Sequence, residues 1–97
     1  MNIERLGPAT LALTGDLDFT SFDPLSAALE DIPGALRLDL SALTLMDSTG
    51  LRVILERLKL GSVTLVGTSP HIMRMMERCG IAEQDGLTVE GDLASRS

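Results

Sequence analysis

The chain has 97 residues, 44% of them apolar, which is enough for one domain and too little for two. Its net charge of -6, the absence of a Lys/Arg cluster and the presence of only two aromatic residues argue against nucleic-acid binding, because the phosphate-neutralising charges and the stacking platforms are both missing. The same charge would be repelled by an anionic membrane surface.

The elements follow in chain order. Met1 to Arg5 has no apolar stretch of the kind that opens a signal peptide, and no apolar run reaches membrane-spanning length, so a cytoplasmic protein without membrane insertion is expected. Thr10 to Thr14 alternates polar and apolar residues and reads as a strand that Gly15 and Asp16 end. Phe22, Leu25, Ala28 and Leu29 mark one face of a helix, with Thr20, Ser21 or Asp23 as its cap and Pro24 in its first turn. Pro33-Gly34 ends it. Leu36, Leu38 and Leu40 lie on one side of a second strand, and a short turn leads to Leu43-Thr44-Leu45-Met46.

After Asp47-Ser48-Thr49-Gly50 the period changes to helical. Leu51, Ile54, Leu55 and Leu58 form the apolar stripe, and Arg52, Glu56 and Lys59 lie opposite. Val63 to Val66 is a short strand. Ser69-Pro70 starts a further helix with Ile72, Met75, Met76 and Cys79 on its inner face, and Gly80 stops it. Thr88-Val89 is expected to be a last edge strand, and residues 90–97 to form a flexible tail. The whole predicts a single α/β domain over residues 1–97. It is expected to hold a four- to five-stranded, mostly parallel sheet with helices packed mainly on one face.

The chemistry concentrates between Leu40 and Lys59. An apolar strand ends at Asp47, and the hydroxyls of Ser48 and Thr49 stand at the start of a helix. Free backbone N–H groups and the helix dipole favour negative charge there, so the position suits a phosphate ester. Gly50 permits close backbone approach. Taken alone, Asp-Ser-Thr-Gly is also ordinary capping chemistry.

The string MDSTGLRVIL closely resembles the signature of STAS domains (sulfate transporter and anti-sigma factor antagonist), within them most of all the bacterial anti-sigma factor antagonists. TLALTGDLD, from Thr10 to Asp18, and VTLVGTSPHIMRMMERCGI, from Val63 to Ile81, resemble two further family segments in the same order. The resemblance implies the STAS fold and a phosphorylation-controlled binding switch. An anti-sigma factor that is itself a serine kinase phosphorylates Ser48, and a phosphatase resets it. The unphosphorylated protein sequesters the anti-sigma factor. Thr49 is the weaker candidate acceptor, and Asp18 and Asp47 match acidic positions flanking the site. With Ser48, Thr49, Gly50 and Arg52 they make the expected partner-binding set. The family's helix after the last strand has no counterpart in Gly91 to Ser97. That short ending resembles the small STAS subunit of bacterial lipid-trafficking ABC transporters, which often carry Thr where this chain has Ser48.

Other residues add little chemistry. Cys79, the only cysteine, is expected to be a buried thiol, and lone His71 gives no zinc site. Met73 falls off its helix's apolar stripe and suits an adaptable contact surface. No nucleophile elbow, Walker loop or dinucleotide fingerprint is present, so neither an enzyme nor a cofactor is expected.

Overall fold

A computed structural model describes residues 2–90. The elements run β1 (Asn2–Gly7), β2 (Thr10–Leu17), a 3-10 turn (Phe19–Ser21), α1 (Phe22–Glu30), β3 (Leu36–Met46), α2 (Ser48–Leu58), β4 (Val63–Val66), α3 (Pro70–Arg78), a second 3-10 turn (Ile81–Glu83) and β5 (Leu87–Glu90). The five strands lie in the order β1-β2-β3-β4-β5. β1 pairs with β2 antiparallel, and all later pairs are parallel. Three right-handed crossovers stepping the same way put α1, α2 and α3 on one face. This is the expected α/β class. Among the described residues no helix is long and apolar enough to cross a membrane.

The strand alternation builds the core. Leu11, Leu13 and Leu17 of β2, Leu36, Leu38 and Leu40 of β3, and Val63 and Leu65 of β4 are all buried under the helices. Leu25 and Leu29 of α1, Leu51, Val53 and Ile54 of α2, and Ile72 and Met76 of α3 close over them. The opposite sheet face carries Thr14, Asp16, Arg37 and Glu90, which stay exposed. Arg37 and Glu90 pair there at 3.5 Å.

Several expectations are corrected. β1 was not expected as a strand; its residues are largely exposed, and of them Ile3 packs against the core, so no alternation marks it. Gly15 and Asp16 do not end β2, which runs to Leu17 with Gly15 at φ +93°. The turn expected before Leu43 is absent, because β3 is continuous. Its register against β2 slips twice, from Ala12↔Asp39 to Thr14↔Ala42 and from Gly15↔Leu43 to Asp16↔Leu45. Each slip inserts one β3 residue, so the inward positions after Leu40 become Leu43 and Met46, and the alternation is lost. At the first slip the Asp39 carboxylate accepts from the Ser41 hydroxyl at 2.7 Å and the Ser41 N–H at 2.9 Å. These bonds, the hydroxyl's above all, hold its pKa below the usual carboxylate range.

The helices shift in detail as well. On α2 the buried set is Gly50, Leu51, Val53, Ile54 and Arg57, and Leu55 is 39% exposed. The reason is Arg57, whose guanidinium donates to the carbonyls of Leu29 at 2.9 Å and Gly34 at 3.0 Å, turning that side of α2 toward α1. Burial lowers the Arg57 pKa. Phe22 is 40% exposed rather than in the core. Asp18 caps the 3-10 turn ahead of α1, and Ser21, at the N-cap of α1, makes no side-chain cap bond. Ser69 caps α3 as expected, accepting from the Ile72 N–H at 3.3 Å. Cys79 is exposed, not buried, because α3 ends at Arg78 and the chain turns away through Gly80 at φ +71°. Glu90 belongs to β5, opposite Val66. The remainder of the expected tail, Gly91 to Ser97, lies outside the described residues.

Candidate functional site at the start of α2

The parallel register sets Leu17 of β2 beside Met46 of β3, so the two strands end together. The Asp47 N–H donates to the Leu17 carbonyl at 3.1 Å and clamps the two exits to one another. Asp18 therefore starts its loop next to Asp47. Each acid then caps the turn that follows it. Asp47, in extended backbone at φ -103° and ψ -170°, accepts the Thr49 N–H at 2.8 Å. Asp18 accepts the hydroxyl and the N–H of Thr20 and the hydroxyl of Ser21. The bond from the Thr20 hydroxyl is the main reason its carboxyl sits below the ordinary value of 3.8.

Ser48 is the first residue of α2 and is exposed. Its hydroxyl stands where the first N–H groups of the helix open to solvent. Thr49 is half-buried and its N–H is already engaged by Asp47, so Ser48 is the more accessible hydroxyl. Arg52 is exposed one turn further on. Gly50 lies beneath the surface instead of on it. A Cβ there would come within 2.6 Å of Met46 Cγ and 2.8 Å of Leu17 Cδ2, so the missing side chain lets α2 seat directly on the ends of β2 and β3. Of the six residues expected in the partner-binding set, the structure brings Asp18, Asp47, Ser48 and Thr49 to one end of the sheet. It places Arg52 a turn away and puts Gly50 under them.

Sequence reasoning missed Phe19 beside this site and Arg57 in the last turn of α2. Phe19 is 76% exposed and follows Asp18 directly; with Phe22 it makes both aromatic side chains of the protein solvent-facing. A signal was available: Phe19 lies inside a cap turn and off every apolar stripe. Arg57 gave no signal, since a buried arginine is rare unless partners satisfy it, and those partners are backbone carbonyls on another element. A groove of about 540 Å³ runs between α1 and α2, lined by Phe22, Leu29, Arg52, Val53, Arg57 and Leu60 among others. A second groove, about 410 Å³, lies on the other side of α2 and is also bordered by Arg52.

The comparisons agree with this architecture. No curated protein matches the chain. Among solved structures, the anti-sigma factor antagonist SpoIIAA in its unphosphorylated form superposes with a TM-score of 0.70 at 19% identity, over 91% of this chain and 85% of that one. A sulfate transporter family protein from Wolinella succinogenes superposes with a TM-score of 0.69 at 19% identity, over 96% of this chain and 84% of that one. At this level of identity both similarities concern the fold. A family model described as MlaB, STAS domain, matches residues 4–94, nearly the whole chain, and the protein therefore belongs to the STAS domain family.

Proposed function

We propose that this STAS domain is an anti-sigma factor antagonist, a protein-binding switch set by phosphorylation of Ser48. The observation that carries the reading is the placement of Ser48: an exposed hydroxyl on the first residue of α2, directly after the Asp47 cap. The similarity in fold to an antagonist that has an unphosphorylated form supports it. In this reading a serine-kinase anti-sigma factor binds the surface formed by Asp18, Asp47, Ser48, Thr49 and Arg52, with the exposed Phe19 and Phe22 as apolar anchors, since aromatics dominate interface energetics. A phosphatase restores the free hydroxyl. The protein acts in the cytoplasm as a binding module, with neither catalysis, cofactor nor nucleic-acid contact.

Phosphate at Ser48 adds about -1.5 to -2 charges, which the N-terminus of α2 tolerates and an interface centred there does not. Desolvating unpaired charge costs several kcal/mol, on the order of a thousandfold in affinity. The test is reaction with the candidate kinase and ATP, followed by mass spectrometry and calorimetry. Phosphate is expected on Ser48, with no label on Ser48→Ala. Ser48→Ala should bind the partner and Ser48→Asp should not. Full labelling of Ser48→Ala, or equal binding by the two variants, refutes the reading.

A second reading has its own support. The sulfate transporter family protein is as similar in fold as the antagonist, and the matching family model carries the MlaB description. On that basis the domain would be a constitutive subunit of a lipid-trafficking ABC transporter. Co-purification with a transporter ATPase, and no phosphate on Ser48 after kinase treatment, would select it.

A further inference from the structure

Arg52 is exposed, yet among the described residues it joins neither of the two ion pairs. Its neighbour at i+4, Glu56, pairs with Lys59 at 3.6 Å instead. The other arginine of α2, Arg57, is buried and committed to the carbonyls of Leu29 and Gly34. Arg52 is thus the one free cation that α2 offers among the described residues, and it stands on the ridge between the two grooves.

Helix geometry decides where its side chain reaches. Cα–Cβ bonds tilt toward the N-terminus, so a long side chain covers the turn before its own Cα. For Arg52 that turn begins at Ser48, with Cβ atoms roughly 5–6 Å apart at this spacing. The fixed charges contributed by the strand ends around Ser48 are acidic: Asp18 and Asp47. A phosphate on Ser48 would meet carboxylates from β2 and β3, and the helix dipole and Arg52 from α2.

Building on the proposed phosphorylation of Ser48, we infer that Arg52 is the phosphate's intramolecular partner. On phosphorylation the guanidinium folds back over the first turn of α2 and pairs with the phosphate oxygens. The switch then does two things at once: it places negative charge at Ser48 and withdraws the free cation from the ridge. A carboxylate on a binding partner that met Arg52 in the unphosphorylated state loses its contact without any rearrangement of the fold. Arginine suits this better than lysine, because its planar fork meets phosphate through two parallel bonds.

The experiment needs neither kinase nor partner. Phosphoserine is installed at position 48 by genetic encoding, in the wild-type background and in Arg52→Ala and Arg52→Lys. Phosphorus NMR then follows the second ionisation of the phosphate. A cation beside the dianion lowers that pKa, so the wild-type value should lie about 0.2–0.4 pH unit below that of Arg52→Ala, with Arg52→Lys between them. The difference should shrink at molar salt, where the screening length falls to about 3 Å. The Arg52 side-chain N–H resonance should shift on phosphorylation of the otherwise wild-type chain. Equal phosphate pKa values in wild type and Arg52→Ala, or an unmoved Arg52 resonance, overturn the pairing. Because the phosphate is encoded, a kinase that ignores Ser48 would refute the proposed function while leaving this result standing.

Discussion

Neighbouring residues on α2 have opposite fates. Ile54 is 2% exposed and packs in the core, whereas Leu55 is 39% exposed at the edge of the second groove. Ile54→Ala removes fully buried methyl groups and should cost about 2–5 kcal/mol. Leu55→Ala loses much less burial and should cost less than about 1.5 kcal/mol. Urea melts with unchanged m-values test this, and equal losses would contradict the orientation of α2. The i, i+3, i+4, i+7 spacing pointed to Leu55 because apolar periodicity assumes that polar side chains face water. Arg57 breaks that assumption by finding acceptors on α1 and the loop after it, information held in the three-dimensional neighbourhood alone. The Asp47–Ser48 step was legible for the opposite reason: a cap followed by a helical period is a local pattern.

At the scale of elements, α2 is fastened to the sheet through its first turn. Asp47 joins the strand exit to the helix, and Gly50 lets the backbone approach Leu17 and Met46. Gly50→Ala would raise helix propensity by roughly 1 kcal/mol. It would also force a methyl group into side chains of the packed core, a cost of about 1–3 kcal/mol. The expected result is net destabilisation with a displaced α2 N-terminus, read as a lower urea midpoint and shifted backbone resonances at Asp47 to Thr49. A rise in the midpoint would show that the contact relaxes freely. Sequence periodicity found β2, β4 and all three helices, along with the first half of β3. It failed at β1 and in the second half of β3. β1 is an edge strand whose pairing to β2, not its own burial, makes it a strand. The two inserted residues of β3 are visible only against the register of β2.

Over the whole molecule, two carboxylates that work as hydrogen-bond acceptors contribute to the loss of stability in acid. Asp18 and Asp39 both have folded-state pKa values below the ordinary 3.8, in each case first because of a side-chain hydroxyl bond. The unfolded chain therefore takes up protons before the folded one. The stabilisation is fully present above the ordinary carboxylate pKa and is lost as pH falls through the lowered folded values. Denaturation midpoints should thus fall below pH 4, and Asp39→Asn should flatten the decline. An unchanged acid slope in that variant would remove Asp39 from the account. The order of strands in the sheet has a temporal consequence. Chain order and spatial order coincide, so β2 already has β1 beside it, β3 adds to β2, β4 to β3, and β5 to β4. Each addition closes a loop of about one strand–helix unit, and none waits for a segment still to be synthesised. Every parallel pairing thus joins segments one strand–helix unit apart, and no strand has to find a partner across a longer stretch of chain. This order suits a chain that emerges N-terminus first from the ribosome, where a growing sheet has one open edge at a time to receive the next strand.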